Sequence, residues 1–379
     1  MKTYNKLYKK VYSYKNLYEA YREARRGKTK KGDVKEFEKD LRDNLMALHR
    51  ELKEQSYKPR QLIIFILRDP KTRRISKSDF RDRVVHHALV QVIEEIFQKI
   101  FIHDSCANQR SKGNLLGIKR LHRFMNKISK NGKINGWFNN NQVRGYYLKA
   151  DIKHYFQEVD HEILINIIKR KITDEKVIWL VGQILSNNPF GWGGERRSEC
   201  RKGMPLGNLT SQFFANIYLN ELDYFVKHRL KAKYYIRYVD DFIILHKSRE
   251  QLIKWKQEIN KFLNDKLRLT LHPDKSFIKS VSAGIGFVGF RNFYHYRLLR
   301  KRNIRKAGIG FVGFRNFYHY RLLRKRNIRK MHVKVRKYKE DEISYDKIME
   351  SFQGWNAYAK WADSFGVRRE ILKKIYQSN

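Results

Sequence analysis

The sequence predicts an α/β (α+β) fold in which short antiparallel strands pack against amphipathic helices. Several segments show helical periodicity, short runs of aromatic and β-branched residues lie between them, and some of these runs are paired around turns. The chain has 379 residues, which is enough to bury a large core and to form one, two or three domains.

The first part of the chain alternates helix-like and hairpin-like segments. A helix is expected over residues 33–55, since the leucines there recur at spacings of three and four. Residues 57–79 predict a hairpin with cations at its tip. The next helix, residues 81–101, again places its apolar residues on one face, and residues 104–128 pass from a polar loop into an amphipathic helix.

Two strand patterns in the middle of the chain end in aspartates. The run YYLKAD predicts a strand that ends at Asp151, and KYYIRYVDDFIILHKS predicts a hairpin that carries Asp240 and Asp241 at its tip. A short strand is expected before residue 281. Further helices are expected over residues 159–172, 209–230, 249–267 and 341–375.

The segment AGIGFVGFRNFYHYRLLRKRNIRK occurs twice in tandem, at residues 283–306 and 307–330, without a single difference. Solenoid repeats recur several times and diverge, so they do not match this pattern. We interpret the doubled segment as a recent in-frame duplication or an assembly error, and one copy is surplus to the fold.

The charge of the chain predicts a polyanionic partner. Lysine and arginine number 83 against 38 acidic residues, which gives a formal net charge of +45. A surface this basic attracts phosphate backbones, and the 23 tyrosines and 23 phenylalanines provide rings on which bases can stack. We therefore expect nucleic acid as the partner.

Cysteine usage and hydropathy predict a cytoplasmic protein. The two cysteines, Cys106 and Cys200, are too few for a disulfide framework or a thiolate zinc site. No stretch approaches 18 uncharged apolar residues, and the N-terminus lacks the apolar core of a signal peptide, so no membrane association is expected.

Asp151, Asp240 and Asp241 each follow a strand pattern, and strands that meet in one sheet would bring them together. Adjacent carboxylates repel each other, and they also occur in ordinary hairpin turns. A divalent cation would stabilise the cluster, because Mg²⁺ prefers oxygen ligands and binds one or two carboxylates together with substrate phosphates. Two such ions about 4 Å apart would suit phosphoryl transfer, and Mn²⁺ could replace Mg²⁺.

Five sequence blocks, in order, resemble those of reverse transcriptases. YVDD at 238–241 is similar to the tyrosine-x-Asp-Asp box, and DIKHYF at 151–156 to the box that carries the first catalytic aspartate. DPKTRRISKSDFRDRVVHHAL and DSCANQRSKGN resemble two fingers blocks, and GMPLGNLTSQFFANIYLNELD resembles the block under the incoming nucleotide. The resemblance implies a right-hand fold of fingers, palm and thumb, with an antiparallel palm sheet backed by helices, and RNA-templated DNA synthesis.

The resemblance also implies roles for individual residues. Asp151, Asp240 and Asp241 would be catalytic and would bind the metal ions together with the carbonyl of Ile152, and the ring of Phe156 would exclude a ribose 2′-hydroxyl. The remaining residues expected to bind the nucleotide are Arg74, Lys112, Leu206, Gly207 and Gln212. Those expected to bind nucleic acid are Arg83, Arg110, Tyr238, Arg324 and Lys325.

The stretch LGNLTSQ, residues 206–212, indicates a subclass. Many bacterial and intron-encoded members carry a glutamine before the glycine and a serine-proline at the end of this block, whereas this pattern is similar to the reverse transcriptases of diversity-generating retroelements. The resemblance implies error-prone copying, chiefly opposite adenine, with Leu206 in place of a hydrogen-bonding side chain. Two alternatives remain: an antiviral-defence or unassigned reverse transcriptase, and a non-catalytic RNA-binding scaffold.

The resemblance implies a division into domains and a set of partners. The partners would be an RNA template, a DNA or RNA primer, dNTPs, a small basic accessory protein and a structured template RNA. The expected segments are an N-terminal helical extension (1–60), fingers with part of the palm (61–148), the palm (149–282), a duplicated primer-grip-like hairpin (283–330) and a helical thumb (331–379).

Overall fold

The structure is a computed structural model that describes residues 2–68, 72–109, 111–132, 143–187, 201–293, 297–299, 314–316, 321–323, 325–360 and 364–377. The chain divides into two units, Met1–Val281 and Ser282–Asn379. The α+β class with antiparallel sheets, expected from the sequence, is confirmed. The finer division into five segments stays a prediction.

Helices form most of the first unit, and their apolar faces build its core. Leu45, Leu48 and Leu52 are fully buried along one helix, as their spacing predicts. The helices are α1 (Tyr8–Tyr12), α2 (Tyr14–Arg25), α3 (Gly32–Lys39), α4 (Leu41–Lys53), α5 (Phe80–Gln98), α6 (Asn114–Ile128), α7 (Tyr155–Glu158), α8 (His161–Lys169), α9 (Glu175–Ser186), α10 (Leu209–Tyr224) and α11 (Arg249–Leu267).

The helix expected over residues 33–55 is two helices, α3 and α4. The chain breaks at Asp40, whose φ of −120° and ψ of 48° are not helical. The spacing of four from Phe37 to Leu41 continues the apolar periodicity across the break, so the spacing alone did not reveal it. Two of the later helices begin at aspartates whose side chains cap them: at α5, Asp79 accepts a hydrogen bond from the Arg81 amide, and at α8, Asp160 accepts from the amides of Glu162 and Ile163.

Two antiparallel sheets lie in the first unit. A hairpin of β1 (Ile63–Leu67) and β2 (Arg73–Lys77) forms the smaller sheet, as expected. The larger sheet has the order β4-β5-β3-β6 and consists of β3 (Tyr146–Asp151), β4 (Tyr234–Tyr238), β5 (Asp241–His246) and β6 (Phe277–Ser280).

Both faces of the four-stranded sheet are covered, and β5 shows this best. Phe242 and Ile244 belong to the main core, whereas Ile243 and Leu245 are buried on the opposite face, as the two-residue period of a strand requires. Full burial of each such side chain stabilises the fold by about 1.5–3 kcal/mol. The sheet is therefore a rigid support for the residues at its ends.

The second unit contains the doubled segment and three helices. In the first copy, β7 (Ile285–Phe287), β8 (Phe290–Asn292) and β9 (Arg297–Leu299) form a three-stranded antiparallel sheet. In the second copy, β10 (Phe314–Asn316) pairs with β11 (Arg321–Leu323). The helices α12 (Lys325–Lys339), α13 (Tyr345–Ala359) and α14 (Phe365–Tyr376) follow, with a core of Met331, Val335, Ile348, Phe352, Ile371 and Ile375.

Both copies of the repeat form the same hairpin in the same register. Phe290 pairs with Leu299, and its counterpart Phe314 pairs with Leu323. The same residues therefore pair in the same register at two places in the chain. This indicates that the local sequence determines the pairing of the hairpin strands. Across the parts of the chain that the structure describes, no helix is both long enough and apolar enough to span a bilayer.

We predict that deleting residues 307–330 keeps the protein folded, because KRNIRK at 301–306 would then precede Met331 just as residues 325–330 do. The melting temperature measured by circular dichroism should equal that of the parent or exceed it by up to about 4 °C, since one apolar GIGFVGF segment is removed. A chain with a third copy is the matched comparison and should scatter more light. A deletion variant that unfolds at a lower temperature would show that the second copy is structural.

Candidate active site

The register of β3 and β5 brings two of the three aspartates to one end of the sheet. Asp151, the last residue of β3, pairs directly with Asp241, the first residue of β5. Side chains of directly opposed residues project on the same face, with Cβ atoms about 4.5–5.5 Å apart. Asp240 lies in the adjoining turn, because Tyr238 of β4 also pairs with Asp241. The structure therefore brings all three predicted aspartates to one place.

The turn that carries Asp240 is strained. Val239 has a φ of +58°, in the left-handed region that β-branched residues seldom adopt. Such a backbone costs about 1–3 kcal/mol and persists only where the surroundings fix it. Strain of this kind is common where a side chain must be presented in one orientation.

Asp240 lies close enough to Asp151 for the two carboxyl groups to interact electrostatically. Burial, followed by the negative charge of Asp151, raises the pKa of Asp240 from 3.8 to about 7. The charge of Asp241 acts in the same direction. Two carboxyl groups this close do not both ionise readily unless a cation lies between or beside them.

Two lysines supply positive charge to the other carboxylate oxygens. Lys149 of β3 forms an ion pair with Asp241, and the Lys275 ammonium lies 2.8 Å from Oδ2 of Asp151. Sequence reasoning missed both. The sequence does contain a signal for Lys149, because it is a charged residue in the otherwise apolar run YYLKA. Lys275 stands in a polar turn, where nothing distinguished it.

The donor set at this site fits a divalent metal in part. Asp151 and Asp240 offer hard carboxylate oxygens at the same end of the sheet, and Mg²⁺ sites commonly use one or two carboxylates with waters and phosphates. The side chain of Asp241 is directed to Lys149 instead. Consistent with that orientation, no group of three or more His, Cys, Asp or Glu in the described ranges is arranged to hold a metal.

The loop at residues 206–208 packs against the β1–β2 hairpin. The Ser76 amide donates a 3.0 Å hydrogen bond to the carbonyl of Leu206, and the Ser78 amide donates to Oδ1 of Asn208. Gly207 has a φ of +114°, and a Cβ there would lie 3.0 Å from Cγ2 of Ile75. A glycine is therefore required at this close approach.

Phe156 and Gln212 lie on the helices that contact and follow the segment at residues 204–208. The Met204 amide donates a 2.7 Å hydrogen bond to the carbonyl of Phe156, which ties α7 to the loop that leads to Leu206. The ring of Phe156 is half-buried, with its centroid 5.3 Å from that of Tyr155. Gln212 lies in the first turn of α10 and is exposed.

The predicted cations of the fingers blocks have different surroundings. Arg74 is exposed on β2. Arg83 donates from Nε to the Ser78 carbonyl at 3.1 Å. Lys112 donates to the carbonyls of residues 102 and 105 at 3.0 and 3.2 Å, and burial lowers its pKa. In this structure, Arg83 and Lys112 thus make structural contacts, and their binding roles stay predictions.

The remaining predicted residues lie at the margins of the described chain. Tyr238 is half-buried at the end of β4, and burial raises its pKa. Arg110 and Arg324 lie outside the described residues, as does Cys200. Lys325 begins α12, but its side chain is not among those described.

A fully buried arginine lies directly behind the turn and was also missed. Arg237 of β4 forms a two-point ion pair with Asp223 of α10, at 2.7 and 2.6 Å. Its Nη1 also donates a 3.0 Å hydrogen bond to the carbonyl of Val239. A signal was present, because YYIRYV places one charge in a strand that otherwise reads as buried.

An antiparallel sheet that ends in clustered aspartates, in a strongly basic chain, is typical of enzymes that transfer nucleotides with divalent metals. A family model described as reverse transcriptase (RNA-dependent DNA polymerase) matches residues 67–306. Because that match covers more than half of the chain, the protein belongs to the reverse transcriptase family. The expectation of this family, drawn from the sequence blocks, is confirmed.

The relatives of the chain include intron-encoded proteins. It is 24% identical to the group II intron-encoded protein LtrA of Lactococcus lactis subsp. cremoris, over 78% of this chain and 56% of LtrA. It is also 24% identical to the protein YkfC of Escherichia coli, over 69% of this chain and 71% of YkfC. Thus the chain spans little more than half the length of LtrA.

Among solved structures, an apo telomerase from Candida tropicalis, truncated from its C-terminal domain, matches with a TM-score of 0.43 and 14% identity. That match covers 66% of this chain and 58% of the telomerase chain.

We predict that Gly207→Ala lowers the free energy of unfolding by about 1–3 kcal/mol, because the new Cβ would meet Ile75 and force an unfavourable backbone conformation. Urea denaturation measures this change. Gly182→Ala in α9 is the matched control: a Cβ there has nothing within 4 Å, and it should raise stability by about 0.5–1 kcal/mol. Equal stability of parent and Gly207→Ala would contradict the close approach of the loop to β2.

Proposed function

We propose that the protein is an RNA-directed DNA polymerase that extends a primer 3′-hydroxyl on an RNA template. The observation that carries the proposal is the clustering of three aspartates at one end of the sheet, where Asp151 pairs with Asp241 and Asp240 lies in the adjoining turn. Membership of the reverse transcriptase family supports it. The formal net charge of +45 suits a template and primer of phosphate-linked strands.

Asp151 and Asp240, with Asp241 and the backbone of Ile152, would hold two Mg²⁺ ions. Metal bound there would activate the primer 3′-hydroxyl and stabilise the pyrophosphate that leaves. In this arrangement Asp240 loses its proton, because a nearby cation favours the charged carboxylate. Lys149 then has to give up part of its hold on Asp241, whose oxygens it contacts in the described structure.

The surrounding residues would select and orient the nucleotide. The half-buried ring of Phe156 lies five residues after Asp151, where it would clash with a ribose 2′-hydroxyl and so favour dNTPs. Leu206, Gly207 and Gln212 would lie beside the incoming base pair, and Arg74 would contact its phosphates. In this proposal, residues 61–148 are fingers with part of the palm, 149–282 palm and 331–379 thumb.

The finer proposal concerns fidelity and subclass. LGNLTSQ at 206–212 resembles diversity-generating retroelements, which implies error-prone copying at template adenines, a structured template RNA and a small basic accessory protein. The names of its relatives make an intron-encoded reverse transcriptase the second candidate. An antiviral-defence enzyme and a non-catalytic RNA-binding scaffold are further outcomes that the experiments below distinguish.

We predict that purified protein extends a DNA primer on an RNA template with Mg²⁺ or Mn²⁺. Asp151→Asn and Asp240→Asn should each lower the rate about a thousandfold or more, equivalent to about 4 kcal/mol of lost transition-state stabilisation. RNA binding should persist in both variants, because it depends on many cations. Primer extension and filter binding measure the two properties.

The exposed Asp265 of α11 provides the matched control for these variants, since Asp265→Asn removes one charge away from the sheet end. It should extend primers at the parental rate. Undiminished synthesis by Asp151→Asn or Asp240→Asn would refute the site. A parent that binds RNA but never extends a primer would favour the scaffold.

We predict that Leu206→Gln raises fidelity at template adenines. A side chain that hydrogen-bonds the nucleotide would help to fix its geometry, and a mispair penalty larger by about 1.4 kcal/mol would lower misincorporation about tenfold. Sequencing cDNA made on one defined template measures the error spectrum. Leu115→Gln, an exposed leucine of α6, is the matched control and should leave the spectrum unchanged. Equal adenine error rates in the parent and in Leu206→Gln would refute the role of Leu206.

A further inference from the structure

The guanidinium of Arg237 has a partner for each of its five N–H groups. A guanidinium has five donors in a fixed planar fork, and this one is 0% exposed. Nε and Nη2 donate to the two carboxylate oxygens of Asp223. The three remaining acceptors are Oδ1 of Asn216 at 3.2 Å, Oγ of Ser105 at 3.0 Å and the carbonyl of Val239 at 3.0 Å.

Four of these five bonds anchor the guanidinium to rigid parts of the first unit. Asn216 and Asp223 lie on the buried face of α10, and Ser105 lies in a loop that forms a parallel bridge with Arg237. The anchors are held in turn: the Asn216 amide donates to the carbonyl of Ala107 at 2.9 Å, and the Tyr235 hydroxyl donates to Asp223 at 2.6 Å. The position of the guanidinium is therefore set by the core.

The fifth bond reaches the strained turn. Its acceptor is the carbonyl of Val239, which belongs to the peptide group that links Val239 to Asp240. Fixing that carbonyl fixes the plane of the peptide and hence the direction in which the Asp240 side chain leaves the backbone. Val239 is also the residue whose φ of +58° requires support.

We propose that Arg237 is a positioning residue, which holds the Val239–Asp240 peptide so that Asp240 faces Asp151. Its catalytic meaning rests on the proposed polymerase function, whereas the structural claim about the turn does not. A buried ion pair by itself is weak evidence for stability, since apolar residues of similar volume often replace such pairs without loss. The bond to the turn gives this pair a role that an apolar replacement would not fill.

Arg237→Lys separates the two roles. Lysine keeps the charge and can still meet Asp223, but its single ammonium lacks the planar fork that also reaches Val239. Misplacement of a catalytic group by about 1 Å can cost about a hundredfold in rate. We therefore expect kcat for primer extension to fall about a hundredfold, with KM for dNTP and RNA affinity close to those of the parent.

Arg120→Lys is the matched control. Arg120 also pairs with a buried aspartate, Asp104, through two bonds of 2.6 and 3.2 Å, but it makes no contact with the turn. Both variants are compared at a temperature well below their measured melting points. Arg120→Lys should lose some thermal stability while it keeps the parental kcat.

Two further measurements test the positioning role of Arg237. Hydrogen exchange followed by mass spectrometry should show faster exchange in residues 234–246 of Arg237→Lys, and unchanged exchange in residues 146–151. Glycine tolerates a left-handed φ, so in a Val239→Gly background the substitution Arg237→Lys should lower kcat about tenfold or less.

The results of these experiments test the positioning role of Arg237 separately from the proposed polymerase function. Equal losses of kcat in Arg237→Lys and Arg120→Lys, or unchanged exchange in residues 234–246, would overturn the positioning role. An undiminished hundredfold loss in the Val239→Gly background would also overturn it. If the parent extends no primer, the proposed function fails, while faster exchange of the turn in Arg237→Lys would still support the structural claim.

Discussion

The antiparallel pairing of β3 with β5 determines where the clustered aspartates of this protein lie. Its register sets Asp151 opposite Asp241, and a slip of one residue would send one of the two carboxylates to the other face of the sheet. Burial of Phe242, Ile243 and Ile244 on both faces holds that register. The apolar interior of the sheet thus fixes the polar group at its end.

The register of β3 and β5 places carboxyl groups close together, and their charges have to be balanced at the sheet end. Opposed carboxylates repel, and burial adds to the cost, so the pKa of Asp240 is raised to about 7, while Lys149 and Lys275 pair with Asp241 and Asp151. A cation bound there, as the proposed function requires, would replace the proton and compete with the two lysines.

The sequence predicted the aspartates better than it predicted what supports them. Asp151 ends β3 and Asp240 lies in the turn between β4 and β5, so the strand patterns of the sequence located both. Asp40 breaks a helix without disturbing the apolar spacing from Phe37 to Leu41, so periodicity did not reveal the break. Arg237 and Lys275 act through contacts with residues far away in the sequence, and such pairings depend on the tertiary fold. The hairpin of the doubled segment was predictable because its pairing is local, as its recurrence in both copies indicates.

A buried arginine in the β4–β5 hairpin is costly to desolvate, and an apolar residue would pack there more simply. The advantage of Arg237 is that it can fix the orientation of a peptide group. Apolar contacts hold a strand in place but do not fix the orientation of a peptide plane, whereas a hydrogen bond from a guanidinium anchored at four other points does. In this protein the polar network of α10 and β4 therefore determines the geometry of the turn, while the apolar core determines its location. The two functions of the core, stability and orientation, are carried by different residues.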